Sequence, residues 1–456
     1  MNKADLLRFP LTDLTGFGCY PRSQARMVPV WEDFMASEAL RGRGEFRFLA
    51  RGFGLSYNDA SLNEGNICLG MTSMDRFLAF DPATGVLHVE AGVTLSQILE
   101  FSIPRGFFLP VTPGTAHPSI GGCVACDVHG KTKLPMHNYI RRLHMMLADG
   151  SHMVCSPEKN PELFYATVGG MGLTGVILSV EIELMPIKSS YVHYMGIKAS
   201  NLDNIFAEFN DTDDWPMTVA WIDCVAKGGK LGQSIMMKGR FAEPCELPKG
   251  REPLHVAKKL QLSVPFNFPQ FTLNQKTVSA FNFLYQAKHP QKLETIQDYV
   301  TFFYPLDFVR NFNRVYGKPG LLQYQFLLPP ETSFEGVKAL LEMISATGKA
   351  SFLAVLKKFG PIENKGVLSF PKPGFFLALD FPYGDGKILE NMDAWDRKVL
   401  DFGGRLYLAK DARMKRATFE AMYPRVDEFR QIKTKYDPGC VFTSDMGRRL
   451  GLVRQA

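Results

Sequence analysis

Short apolar runs broken by small-residue turns fill the first third of the chain. FRFLA at 46–50 is one such run and ends abruptly in RGFGLSYND, residues 51–59, where two glycines and a serine interrupt any regular element. The pattern predicts a strand feeding a tight loop. Strands are also expected at Asn66–Gly70 and Val86–Ala91, then a helix from about Leu95 to Ser102 opened by Thr94. The stretch PVTPGTAHPSIGGCVACDVHGK, residues 110–131, is dense in Gly, Pro and small residues that can lie close against a ligand. HMMLADGSHMVCS predicts a hairpin around Asp149 and Gly150, Glu162–Val168 a helix, and the alternation from Val176 to Met185 a strand.

From about 191 the texture changes to longer amphipathic stretches and aromatic-rich strands, LLQYQFLL at 321–328 and FFLALDF at 375–381. With helices near 335–346 and 388–402, they predict an antiparallel sheet backed by helices. After residue 404 come short turns, a helix near Lys415–Met422 and the charged DMGRR. The expected fold class is α+β, with a first domain over 1–190, a second over 191–404, and a segment 405–456 returning to the first.

At 456 residues two domains are the natural expectation, and 46% hydrophobic with 21% charged residues is an ordinary globular balance. The net charge of +6 comes without any Lys/Arg run dense enough for a nucleic-acid stripe. The first ten residues lack the pattern of a secretory signal, and no apolar stretch of about 18 residues is available for a membrane span. A cytoplasmic protein is expected, soluble or peripheral at the inner face of the membrane. Eight scattered cysteines suit reduced thiols. The close pair Cys123 and Cys126 lacks the second pair a metal or haem motif requires, and reads as small residues of a tight turn. No metal is expected.

A glycine-rich loop lets successive backbone N–H groups converge on a pyrophosphate. RGFGLSYND fits that description, although an ordinary surface turn fits it too. It is not a Rossmann fingerprint, because Tyr57 stands where the third glycine belongs. A literal G-x-G-x-x-G occurs at Gly170, Gly172 and Gly175, but a helix-like segment precedes it and the strand VILSVEIEL follows, the reverse of the Rossmann order.

RGFGLSYND, PGTAHPSIGGCVACDVHGK and VGGMGLTGVI, in this order and spacing, resemble the PCMH-type FAD-binding domain of the vanillyl-alcohol oxidase superfamily. LLQYQF, SFLAVLKKFGP, LSFPKPGFFLALDFP, GGRLYLAKDAR, MYPRVDEF and FTSDMGRRL extend the likeness over nearly the whole chain, to the decaprenylphosphoryl-β-D-ribose 2-oxidase family. Aldonolactone oxidases of the superfamily carry a His in the first loop and an HWxK-like segment near the end. Here Leu55 replaces that His, a usual covalent flavin anchor, and 407–410 reads YLAK. The resemblance therefore implies a dissociable FAD.

By resemblance, Ala50, Arg51, Gly52, Phe53, Gly54, Leu55, Ser56, Tyr57, Asn58, Asp59 and Ala60 would hold the pyrophosphate. Gly114, Ser119, Ile120, Gly121 and Gly122 would continue the cradle. Cys126, Asp127, Val128 and His129 would line the flavin edge, Ile177 the adenine side, and Tyr407 would contribute from the tail. Lys410 would act at the flavin and the substrate hydroxyl, with Tyr57 and His129 beside it as further catalytic candidates. Lys131, Gln323, Gln325 and Lys357 match positions that surround the sugar. The two lysines suit a substrate phosphate, and the two glutamines, alternating on one face of a strand, suit sugar hydroxyls. A lone lysine on a strand is ordinarily a solvated side chain and a lone histidine a structural one, so these roles rest on the likeness. The chain departs from the family at Ala378, where mycobacterial members have an active-site cysteine, at LPMHNY after Lys131, and at GFGC over 16–19. These departures bear on lipid and sugar preference more than on chemistry.

The resemblance implies oxidation of the C2 hydroxyl of a polyprenylphosphoryl pentose, completed to an epimerisation by a partner keto-sugar reductase in cell-envelope arabinose donor synthesis. The alternatives are a soluble sugar or aldonolactone oxidase and a flavin-binding interaction subunit without catalysis. Aromatic stretches between 255 and 312, such as VPFNFPQF and YVTFFYPLDF, suit either a greasy surface for a polyprenyl chain or core packing.

Overall fold

The Thr94 hydroxyl accepts a hydrogen bond from the Gln97 N–H while the Gln97 side chain accepts one from the Thr94 N–H, so the helix Leu95–Ser102 begins where the polarity pattern puts it. The computed structural model describes residues 1–454 apart from 213, 259–260, 270–271, 350, 352 and 385. Positions 270–271 of VPFNFPQF and 352 of SFLAVLKKFGP thus lie outside the described residues. The architecture is α+β, and three sheets organise it.

The first sheet runs in the order Leu11–Thr15, Arg22–Pro29, Ile67–Gly70, Phe48–Arg51, with its last three strands parallel. The helix Asp33–Arg41 buries Ala36, Ala39 and Leu40 in one cluster with Val28, Phe48 and Leu69. The second sheet is antiparallel, in the order Phe77–Asp81, Val86–Glu90, Val176–Glu183, Ile140–Met146, His152–Cys155. Alternation assigns its faces: Leu87, Val89, Leu143, Val180 and Ile182 enter the core, leaving His88, His144, Ser179 and Glu181 on the other side. Between these strands the small-residue stretch forms a short helix, Ile120–Ala125. Cys123 and Cys126 therefore stand on this helix and its C-cap rather than in a tight turn, since residues without bulk let the helix pack directly on Ala91.

The third sheet has eight strands, in the order Lys292–Asp298, Tyr191–Ala199, Ser234–Phe241, Met217–Ile222, Ala354–Phe359, Gly374–Pro382, Leu321–Leu328, Arg405–Leu406. Tyr324, Phe326 and Leu328 point to the face covered by the helices Ser333–Ala346 and Ile388–Asp401, where the Tyr324 hydroxyl donates to Asp396 at 3.0 Å. Gln323 and Gln325 therefore point to the opposite face, which looks toward the glycine-rich loops.

Beyond the edge strand Arg405–Leu406 the chain runs back to the first sheet. The Phe48 N–H donates to Val441 at 2.8 Å, the Thr443 N–H to Phe48 at 2.9 Å, and the Asp445 N–H to Leu62 at 2.8 Å. The helix Val426–Tyr436 on this return carries the buried Lys433, whose ammonium meets the carbonyls of Leu173 and Phe442 and the Asp437 carboxylate. No helix among the described residues is long and apolar enough to cross a membrane.

Candidate active site

Three loops approach one another closely at the edge of the first sheet. A Cβ placed on Gly52 would lie 2.5 Å from Ser119 Oγ, so the first and second loops touch only because that atom is missing. Gly54 has φ +66°, and a side chain there would enter the Arg51 guanidinium. Arg51 is buried and braces the loop from within, donating to the Ser61 carbonyl at 2.6 Å, the Ser61 hydroxyl at 2.8 Å and the Thr15 carbonyl at 2.7 Å. In the second loop the Ile120 and Gly121 N–H groups bond to Val93 and Ala91 at 2.8 and 2.9 Å, with Gly122 following Ser119 in the same turn. Gly114 faces open space. The third loop, whose glycines follow the helix Pro161–Thr167 and precede the strand, joins through the Met171 N–H to Ala125 at 2.9 Å. This cradle, lined by backbone and lacking Cβ atoms at its closest approach, fits an extended dinucleotide.

The far end of the first loop is fixed by the tail. The Tyr57 N–H donates to the Ala409 carbonyl at 3.3 Å, the Asn58 amide donates to the Leu408 carbonyl and accepts from the Ala60 N–H, and Asp59 is paired with Arg449. Phe53 is exposed, Leu55 and Ser56 are half-buried, and Ile177 is buried beside Met145 in the second sheet.

On the large sheet, Gln323 pairs in register with Asp380 and Gln325 with Ala378, so these four share one face with Lys357. Gln323 donates to Asp380 Oδ1 at 2.5 Å, and the Tyr316 hydroxyl donates to Oδ2 at 3.4 Å. Asp380 is wholly buried, which lifts its pKa to about 6 despite the Gln323 hydrogen bond and the Lys410 charge that oppose the rise. Lys410 lies with Nζ 3.8 Å from the centroid of the Tyr57 ring. Burial brings its pKa down to about 8, with Asp380 pulling the other way. Burial also holds the Tyr57 phenol well above its usual range.

His129 is ringed by Phe359, Phe370, Phe376 and Tyr407. Burial, with Lys357 and Lys410 adding positive charge, puts its pKa well below the usual imidazole range. The neutral ring accepts the Gln325 amide N–H at Nε2, 2.8 Å away, so its proton belongs on Nδ1. The Tyr407 hydroxyl donates to the Cys126 carbonyl at 2.8 Å. Cys126 itself, its thiol pushed up to about 11 by burial, neighbours Ser56 and Lys410.

The lysines expected at the sugar differ in setting. Lys357 is 1% exposed, and its ammonium donates to the carbonyls of Gly130 and Thr132, fixing the turn after His129. Lys131 is half-buried, donates to the Phe303 carbonyl at 3.3 Å and lies over the Phe302 and Phe303 rings, its pKa brought to about 8 by burial. Asp127 turns its carboxylate into the fold, accepting from His137 Nδ1 at 2.9 Å and from the Ser369 hydroxyl, while the half-buried Val128 bonds back to Cys123 at 3.0 Å.

Sequence reasoning passed over Asp380 and Tyr316. The available signal was a single acid two residues past Ala378 in an otherwise apolar strand, where an unpaired carboxylate is costly.

A family model described as FAD binding domain matches residues 36–156, and one described as D-arabinono-1,4-lactone oxidase matches 381–450. The chain is 38% identical to the decaprenylphosphoryl-beta-D-ribose oxidase of Mycolicibacterium smegmatis over 420 residues, 90% of each chain. It is 31% identical over 377 residues to an uncharacterized protein in the mprA 5′ region of Streptomyces coelicolor, covering 79% of this chain and all of the other. Cytokinin dehydrogenase 4 of Arabidopsis thaliana matches 172 residues at 30% identity, 35% of this chain and 32% of its own.

Proposed function

The chain belongs to the decaprenylphosphoryl-β-D-ribose oxidase family of FAD-dependent oxidoreductases acting on CH–OH groups, and from that premise we propose that it oxidises the C2 hydroxyl of a polyprenylphosphoryl pentose to the 2-keto sugar. The observation that carries this reading is the buried Asp380 carboxylate, held by Gln323 and within the electrostatic reach of Lys410, whose Nζ lies 3.8 Å from the Tyr57 ring centroid.

We assign the pyrophosphate of FAD to the backbone of residues 50–60 together with Ser119 and Gly122, on the strength of the close approach of Gly52 to Ser119 Oγ. Bound FAD supplies the acceptor for the hydride that leaves the carbinol carbon. The hydroxyl proton must leave with it, and Asp380, ionised at neutral pH and raised toward it by burial, is suited to take that proton. Lys410, mostly protonated at pH 7, offsets the negative charge that hydride transfer adds beside it. His129, held neutral with its lone pair committed to Gln325, orients rather than accepts. The remaining amide atoms of Gln323 and Gln325 address the sugar hydroxyls. Lys131 meets the phosphate, and Lys357 holds the turn that presents it.

For the polyprenyl chain we propose the segment 262–308. Leu262, Phe266, Phe283 and Leu284 are exposed there, Phe283 by 71%, and the sequence around them carries Lys276, Lys288 and Arg310. Apolar side chains rimmed by cations suit a peripheral contact with an anionic membrane face, where a partner reductase would collect the keto sugar. The match of 381–450 to a lactone oxidase model favours one second reading, oxidation of a free aldonolactone. Anaerobic titration of the FAD-loaded protein separates the two. Polyprenylphosphoryl ribose should bleach the flavin absorbance and yield the 2-keto sugar while an aldonolactone leaves it yellow, and the opposite result ends the first reading.

A further inference from the structure

The second sheet carries a group of side chains that the oxidation does not use. We propose that His88, His144 and Glu181 form a binding site for a divalent cation of the zinc class. Glu181 lies in the middle strand Val176–Glu183, with His88 directly opposite it on Val86–Glu90 and His144 opposite Ser179 on Ile140–Met146. Three neighbouring strands thus each give one ligand to the same polar face, while Val180, Leu87 and Leu143 anchor the other face in the core.

The two imidazoles stack at 4.7 Å between centroids with their planes 23° apart, and both turn Nε2 toward the middle strand. His144 Nε2 is 2.9 Å from Glu181 Oε1, and His88 Nε2 is 2.8 Å from the Ser179 hydroxyl. The three ligand atoms lie within 4.8 Å of one another. With zinc bonds of about 2.0 to 2.2 Å, tetrahedral ligands stand about 3.3 Å apart, so the widest pair closes by at most about 1.5 Å, within reach of small side-chain rotations. Arg142 donates to Glu181 Oε2 at 3.2 Å, which orients the carboxylate and leaves Oε1 on the histidine side.

Two imidazoles and one carboxylate suit zinc, cobalt or nickel in preference to magnesium, which takes oxygen ligands in an octahedron. Three protein ligands leave the remaining coordination to water. Such an ion would tie together the strands Val86–Glu90, Val176–Glu183 and Ile140–Met146.

The test is calorimetric titration of the FAD-loaded protein with zinc chloride, paired with thermal unfolding. One equivalent should bind and raise Tm, whereas magnesium chloride at the same concentration does neither. His88→Gln, His144→Gln and Glu181→Gln should each weaken zinc at least about tenfold, since even outer-sphere changes at metal sites cost that much. Each should abolish the Tm rise while substrate-driven flavin reduction is retained. Cys245→Ser, which removes the exposed thiol, should leave both readouts intact. Absence of zinc binding to the wild-type protein, undiminished binding by His144→Gln, loss of binding in Cys245→Ser, or equal binding of magnesium would each overturn the proposal.

Discussion

Arg449 donates from Nε and one Nη to the two oxygens of Asp59, both at 2.8 Å, across 390 positions of sequence. A further N–H reaches Asp411 at 3.0 Å. One guanidinium thus joins the first glycine loop to the turn that carries Lys410, and both carboxylates are almost fully shielded from solvent.

Replacing Arg449 with Met removes the hydrogen-bonded counter-charge that the two carboxylates share. Stability should fall by about 3 kcal/mol, the low end for breaking a buried pair, since the Arg449 side chain is itself partly exposed. Urea unfolding measures the loss, and the purified protein should retain less flavin. An unchanged midpoint with full flavin content would count against this linkage.

The reaction should have a bell-shaped pH dependence. Asp380 must be ionised, so the rate is lost as pH falls through about 6. Lys410 must be protonated, so it is lost again as pH rises through about 8. Flavin reduction followed by stopped flow across this range checks both limbs, and in Asp380→Asn the acid limb should disappear along with most of the rate.

Lys410→Met removes the charge beside the reacting centre while keeping much of the side-chain volume. Flavin reduction should slow by about 10²- to 10³-fold, as expected for the loss of one charge-stabilising donor. Because the tail is held by Arg449 and Asn58, the cradle stays assembled and FAD should remain bound. Turnover at the wild-type rate would remove Lys410 from the mechanism.

Gly52→Ala forces a methyl group onto Ser119 Oγ. A cost of about 1 to 3 kcal/mol is expected for overpacking, together with weaker FAD binding. Ser119→Ala in the same chain removes the opposing oxygen and should recover most of the stability, measured by thermal unfolding with and without added FAD. If the double variant is no more stable than Gly52→Ala, the loops do not touch as described.

Local grammar made much of the framework legible. Thr94 and Gln97 announce a helix start, Asp149 and Gly150 a hairpin, and the period of two in LLQYQFLL a strand with a polar face. What sequence order conceals is convergence. Nothing near LALDF tells that Asp380 faces Gln323 and Lys410, because strand pairing and a return from the tail bring those partners. The helix Val426–Tyr436 was not anticipated either, since its segment is largely polar and its buried anchor, Lys433, passes for a surface charge until Leu173 and Phe442 close around it. The setting of Lys357, between two carbonyls of the turn after His129, depends in the same way on a contact more than two hundred residues away.

The isolated parallel bridge from Phe442 to Phe48 and the clasp at Arg449 close the tail back onto the first glycine loop. A nascent chain therefore lacks this clasp until residue 449 has emerged; a proteolytic cut between 60 and 410 would part Lys410 from its loop, and one between 411 and 448 would part Arg449 from both, unless the pieces stay docked. The enzyme's competence thus reports on the integrity of nearly the whole polypeptide.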